Sequence, residues 1–212
     1  MQSEKSQSRA SSHENTREAR PYHHGDLRAA LLASAEHTLL EKGVAALSLR
    51  ELARDIGVSH AAPGRHFKDK QALLNALALD GYDRLVQVLA DADDPSLPLE
   101  PRLVALARGY LGFATENAEL LELMFARKHD PEASEEMATA VDRTVGALER
   151  LIADAQKRGE IIEGDPGRLT HLVGATLHGV ATFAASERVD PEFALDGIPQ
   201  LVHLLLHGLK PR

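Results

Sequence analysis

Apolar residues recur at helical spacing along most of the chain. Leu27, Ala30, Leu31, Ala35, Thr38 and Leu39 share one face of a first helix, with Asp26 placed to cap its start and Gly43 to stop it. In "LSLRELARDIG", Ser48 and Glu51 have the spacing of a capping box and Leu47 and Leu52 that of a hydrophobic staple. Leu49, Leu52, Ala53 and Ile56 form the buried side of a short second helix. Gly57 suits the left-handed residue at its end. Ser59 then follows closely enough to cap another helix, and two short helices joined this tightly make a helix-turn-helix.

The stretch "VSHAAPGRHF" (58–67) tests that reading, because Pro63-Gly64 is by itself a turn signal. In a helix begun at Ser59, however, Pro63 falls near the end of the first turn, where a missing N–H costs little. Gly64 costs about 1 kcal/mol relative to Ala without forbidding the helix. A helix is expected. Beyond it, Phe67 is expected to plug the core, and Asp69 to cap a long helix with Leu73, Leu74, Leu77, Leu85, Val86 and Leu89 on its apolar side. The Pro- and Asp-rich run 91–101 reads as a loop. Further helices are expected near 102–116, 118–127, 134–158, 166–186 and 198–208, with a short one near 191–195. Ser134 and Asp165-Pro166 mark two of the starts.

Composition agrees with an all-α chain of about nine helices: 43% of its residues are hydrophobic but only 4% aromatic, and β-branched clusters are few. With no cysteine, thiol catalysis, disulfides and zinc–thiolate sites are excluded, and a reducing cytoplasm fits. No run reaches the 18 or more apolar residues of a membrane span, so a cytoplasmic protein with no membrane partner is expected. The formal charge of −8 is uneven: residues 1–80 sum to +1 and residues 81–212 to −9. The second part repels phosphate and the first tolerates it, which suggests two parts with different partners. Residues 1–20 lack apolar periodicity and read as a disordered polar arm. Its Lys5, Arg9, Arg17 and Arg20 either touch a nucleic-acid backbone or are simply solvated.

The stretch from Pro21 to about Ala78, "PYHHGDLRAALLASAEHTLLEKGVAALSLRELARDIGVSHAAPGRHFKDKQALLNAL", resembles the N-terminal DNA-binding domain of the TetR family of transcriptional regulators. Near the other end, "LHGVATFAAS" is similar to the regulatory domain of a subgroup named for a Trp-His-Gly pattern, although this chain has no Trp. The resemblance implies a three-helix helix-turn-helix head (21–68) on a larger helical-bundle domain for ligand binding and dimerisation (69–212). It also implies a homodimer, a double-stranded and palindromic DNA operator, and a small-molecule inducer that releases a repressor. Its last two long helices would pair with those of a second copy. The apolar positions Leu172, Leu177, Val180 and Ala184, with Leu201 and Leu205, are the expected interface, a helix central to a monomeric core being the alternative.

In a helix-turn-helix the second helix presents its N-terminal residues to base edges, while caps and nearby cations hold phosphates. His60, Ala61 and Arg65 are therefore the candidates for base contact, Ala61 against a thymine methyl and Arg65 bidentate to guanine. Ser48, Arg50, Ser59, His66 and Lys70 are candidates for phosphate. The two serines are equally explained as caps, Lys70 as an ordinary surface charge, and His66 as a residue between helices. Gly64 departs from the family pattern, which commonly has a phosphate-contacting Tyr there. For the ligand, Tyr110, Phe113, Met124, Phe125 and His178 are candidates, with plain core packing as the alternative.

The eleven histidines raise the question of a metal. His203 and His207 face the same side of a helix, His171 and His178 are two turns apart, and His23 adjoins His24. No Asp or Glu completes a local ligand set, so no metal and no cofactor is expected. No phosphate-binding Gly loop, nucleophile elbow or His-Glu-x-x-His pair occurs either, so no catalytic residue is assigned and no enzyme is expected. A helical binding module that has lost DNA recognition is the rival reading, motivated by Gly64 and the weakly charged head.

Overall fold

The computed structural model describes residues 24–130, 134–186 and 188–208, with side chains from Leu27 onward. The basic residues of the N-terminal arm and His23 lie outside them. Nine α-helices are present among the described residues, with no strand: α1 (His24–Lys42), α2 (Leu49–Asp55), α3 (Lys70–Ala92), α4 (Leu99–Glu116), α5 (Ala118–Lys128), α6 (Glu135–Lys157), α7 (Pro166–Ala185), α8 (Pro191–Asp196) and α9 (Ile198–His207).

Local signals account for most boundaries. Asp69, Ser134 and Asp165 cap α3, α6 and α7 by accepting from the N–H groups of Ala72, Met137 and Gly167. Asp190 caps α8 in the same way, with Pro191 in its first turn. α2 ends in a Schellman motif: Gly57 has φ 73°, Val58 N–H donates to Ala53 O at 2.9 Å, and Gly57 N–H donates to Arg54 O at 3.1 Å.

Three expectations are corrected. α1 already begins at His24, so Asp26 lies inside its first turn and is not its cap. α4 begins at Leu99, three residues before the expected start near 102, and Pro101 sits in its first turn, where no intrahelical donor is needed. The third helix expected over about 59–66 is not an α-helix. Its chain winds through i→i+3 hydrogen bonds, Ala62 N–H to Ser59 O, Arg65 N–H to Ala62 O and His66 N–H to Pro63 O, and only Pro63–Arg65 forms a 3-10 turn. Pro63 has no N–H to give Ser59 O, so the first α-type bond is lost there, and Ser59 O accepts from Ala62 N–H in the tighter winding instead.

The core is continuous from head to body. Leu31, Ala35, Leu39, Leu47, Leu52 and Phe67 join Leu73, Leu77, Leu111, Leu120, Met124 and Ile198 in one buried cluster. Phe67 plugs the head as expected, with the Arg28 guanidinium 5.7 Å from its ring centroid. α3 begins directly after the expected head and packs on α4, α5 and α6 of the body. At Gly81 it lies close against α5, and an added Cβ would be 2.7 Å from Met124 Sδ.

Candidate nucleic-acid interface and ligand region

The head presents most of its candidate DNA contacts to solvent. Arg50, Ser59, His60, Ala61, Gly64 and Arg65 are all exposed. Ser48 occupies the N-cap position of α2 with φ −145° and ψ 125°, but its side chain makes no cap hydrogen bond. The capping box is thus present in spacing and unmade in hydrogen bonding. Glu51 instead lies 3.8 Å from the Arg54 guanidinium. Beside Ser48 is an open cleft of about 610 Å³ lined by residues 45–48, Arg50, Glu51, Arg54 and His60.

Two candidates are half-buried. Lys70 Nζ donates to Ala45 O at 3.2 Å, tying the start of α3 to the 3-10 turn Val44–Ala46 that precedes α2. An ammonium has three donors, so this bond leaves capacity for a phosphate. His66 is half-buried, and its Nε2 is shielded from solvent with no partner among the described residues. Gly64 needs no glycine for its backbone: an added Cβ would meet nothing within 4 Å.

In the body, three of the five candidate ligand residues converge from three helices. Tyr110 of α4 lies with its hydroxyl 3.0 Å from His178 Nδ1 of α7, and Phe125 of α5 stacks on the His178 ring with centroids 3.9 Å apart and planes 16° from parallel. Burial, with the nearby Lys128 charge adding to it, holds the His178 imidazole below its ordinary pKa, which favours the neutral ring. Burial first, and the Tyr82 phenol second, raises the pKa of Tyr110, which keeps its proton. Both groups are satisfied when Tyr110 donates to Nδ1 and the imidazole proton resides on Nε2. Phe113 and Met124, in contrast, are core residues at 6% and 0% exposure.

Two residues missed in the sequence complete this region. Lys128 Nζ lies 5.5 Å from the Phe125 ring centroid. Arg127, the preceding residue of the same helix, reaches α3: its Nε donates to Asn75 Oδ1 at 2.6 Å and its Nη1 to Gln71 Oε1 at 2.8 Å. No sequence spacing announces these contacts, which span 52 and 56 residues. α1 also meets the body through the Glu36–Arg84 ion pair at 2.8 Å.

The six expected interface residues divide. Leu172 and Leu205 point outward at 59% and 41% exposure. Leu177, Val180 and Leu201 are half-buried against their own core, and Ala184 is buried in it. Ala184 therefore faces its own chain, and the neighbouring Phe183, half exposed, takes the outward position. Leu172, Ala175, Gly179 and Phe183 follow one another at three- and four-residue spacing along α7, large side chains at the ends and small ones between.

The metal expectation changes as well. The fold brings Glu100, in the first turn of α4, against His203 and His207 of α9 across 103 and 107 residues.

Comparison with known proteins agrees with this arrangement at both ends of the chain. Residues 31–77 match the family of bacterial regulatory proteins of the tetR type, and residues 103–209 match the tetracyclin repressor-like C-terminal domain. The chain belongs to the TetR family. A Rhodococcus protein of unknown function is 41% identical, with a TM-score of 0.81 over 91% of this chain and 100% of its own. Helix-turn-helix-type transcriptional regulators of Mycobacterium tuberculosis and Mycobacterium bovis are 28% identical over 141 residues, 64% of this chain. The chain spans 59% of the length of these curated relatives. The regulator FadR of Bacillus subtilis, solved with stearoyl-CoA, shares the TetR fold at 14% identity, with a TM-score of 0.72 over 86% of this chain and 99% of its own. No helix among the described residues is long and apolar enough to cross a membrane.

Proposed function

We propose that the protein is a ligand-responsive, sequence-specific DNA-binding regulator, a repressor that acts as a homodimer in the cytoplasm and carries out no reaction of its own. The observation that carries this reading is the head. Arg50, Ser59, His60, Ala61 and Arg65 are exposed together on the part of the chain that matches the tetR-type family, around a Ser48 hydroxyl free of capping duty. In this reading residues 21–68 form the head and 69–212 the regulatory body. Arg65, His60 and Ala61 read bases, while Ser48, Arg50, Ser59 and Lys70 hold phosphates. Two heads related by a two-fold axis require a palindromic operator with half-sites one helical turn, or a multiple of it, apart.

The ligand region is the Tyr110–His178–Phe125 cluster, with Phe113 and Met124 as the packing behind it. α5 joins it to the head: Phe125 stacks on His178, and Arg127 holds the first turn of α3, directly after Lys70. A small molecule that displaces Phe125 from His178 would move Arg127 and thereby α3, changing the separation of the heads. Its binding energy must favour the released state for the operator to be lost. Arg127→Ala is expected to speed amide exchange in the first two turns of α3. Unchanged exchange there would remove α5 from the coupling route.

Footprinting of the purified protein on DNA flanking its own gene, with competitor DNA and a salt titration, tests the whole reading. A two-fold symmetric protected site that survives competitor is expected, with a salt slope that counts phosphate contacts. Diffuse, salt-sensitive binding to every such fragment would favour a helical binding module that has lost DNA recognition. Gly64 bears on the same question. Because its Cβ direction is open, Gly64→Tyr adds a phosphate donor without strain. At about 0.5–1.5 kcal/mol per hydrogen bond and two heads, operator binding should tighten roughly 5- to 150-fold. A titration showing no gain would mean that position 64 does not face the backbone.

A further inference from the structure

We propose that Glu100, His203 and His207 form a binding site for one divalent cation of the Zn²⁺ class, which clips the C-terminal end of α9 to the first turn of α4. His203 Nδ1 lies 3.0 Å from Glu100 Oε1 and His207 Nε2 lies 3.3 Å from Glu100 Oε2. One ligand atom from each of the three residues can be chosen so that all lie within 4.8 Å of one another. A tetrahedral Zn²⁺ with bonds of about 2.0–2.1 Å separates its ligands by roughly 3.3 Å, so small rotations of the three side chains suffice.

Helix geometry prepares the site. His203 and His207 are four residues apart on α9, which stacks them on one face with ring centroids 4.4 Å apart. Glu100 meets them because α4 begins at Leu99, which turns the carboxylate toward α9. Two imidazoles and one carboxylate suit Zn²⁺, Ni²⁺ or Co²⁺. Mg²⁺ and Ca²⁺ prefer all-oxygen sets, and Cu(I) prefers sulfur. The side chains of Glu100, His203 and His207 are 39%, 58% and 34% exposed, so an ion can enter from solvent and water can fill a fourth position. Bound there, it replaces one exposed and one partly buried hydrogen bond with coordinate bonds, and it restrains the helix that carries Leu205.

The test uses the untagged full-length protein stripped with a chelator. ZnCl₂ titrated calorimetrically should show one saturable site per chain, and CoCl₂ should develop the visible absorption of tetrahedral Co²⁺. His203→Ala with His207→Ala should remove both signals. Glu100→Gln, close to isosteric, should weaken zinc at least about 10-fold, in line with the loss of a ligand or its support. His23→Ala with His24→Ala should leave the site intact. Circular dichroism checks folding, and if the double histidine variant misfolds, Glu100→Gln decides alone. Absence of saturable binding at micromolar zinc in the parent protein overturns the proposal. So does zinc affinity unchanged in the Glu100 and His203/His207 variants.

Discussion

Replacing Arg65 with Ala is expected to lower operator affinity roughly 30-fold to 10⁴-fold, the largest effect of any single exposed residue. A bidentate Arg–guanine contact is worth about 1–3 kcal/mol of discrimination, and a homodimer makes it twice. Arg65 is exposed at the end of the 3-10 turn, with its backbone N–H bonded to Ala62 O and its side chain outside the core. The variant should therefore keep its thermal stability, since exposed substitutions usually stay within about ±0.5 kcal/mol. The loss should be confined to the guanine-bearing position of each half-site. Arg50→Ala is the control: a phosphate contact weakens all sequences alike and reduces the salt slope by about 1 per contact. Competition gel shifts with single-base operator variants distinguish the two. If Arg65→Ala weakened every sequence equally, Arg65 would be a phosphate ligand and base reading would fall to His60 and Ala61.

Leu172→Glu combined with Phe183→Glu is expected to turn the proposed dimer into a monomer and, through that, to lower operator affinity about 10²- to 10⁴-fold. Both side chains project from α7 into solvent at 59% and 50% exposure, so the fold of one chain does not need them. Across a two-fold interface each carboxylate would be buried twice without a partner, at a cost of several kcal/mol per ion. Affinity falls with it, because the second half-site is no longer held at high effective concentration. Light scattering reads the oligomeric state, and titration of a half-site against a full site reads the lost linkage. A variant that remained dimeric would move the interface away from this stripe of α7. Ala184→Glu would be uninformative, since Ala184 is 1% exposed inside its own chain and the substitution would damage the core first.

Much of the helical framework was legible in the sequence, because helix boundaries are short-range events. Asp69, Ser134 and Asp165 accept hydrogen bonds from N–H groups two or three residues ahead, and Gly57 takes the left-handed backbone that closes α2. Apolar spacing correctly assigned Leu73, Leu74, Leu77 and Leu85 to the buried side of α3. Pro63 shows where this local reasoning stopped short. A first-turn proline is compatible with an α-helix, yet the winding from Ser59 to His66 uses i→i+3 bonds and a single 3-10 turn, and an i→i+4 bond appears only at its end, from Phe67 N–H to Pro63 O. Propensity ranks allowed conformations; here Pro63, which is buried, has no N–H for Ser59 O, and Ala62 N–H takes that acceptor instead.

Apart from the helix expected over about 59–66, the sequence by itself determined the helices, their order and the absence of thiol chemistry, all of which follow from residue type and spacing of four or fewer. Tertiary structure alone decided the pairings across the chain: Tyr110 with His178, Arg127 with Gln71 and Asn75, and Glu100 with His203 and His207. It also decided that Ala184 turns inward while Phe183 turns outward. Periodicity defines an apolar stripe only to within a broad arc of the helix. Which edge of that arc meets its own core, and which distant side chains meet at all, depends on how α3, α4, α5, α7 and α9 settle against one another as packed bodies.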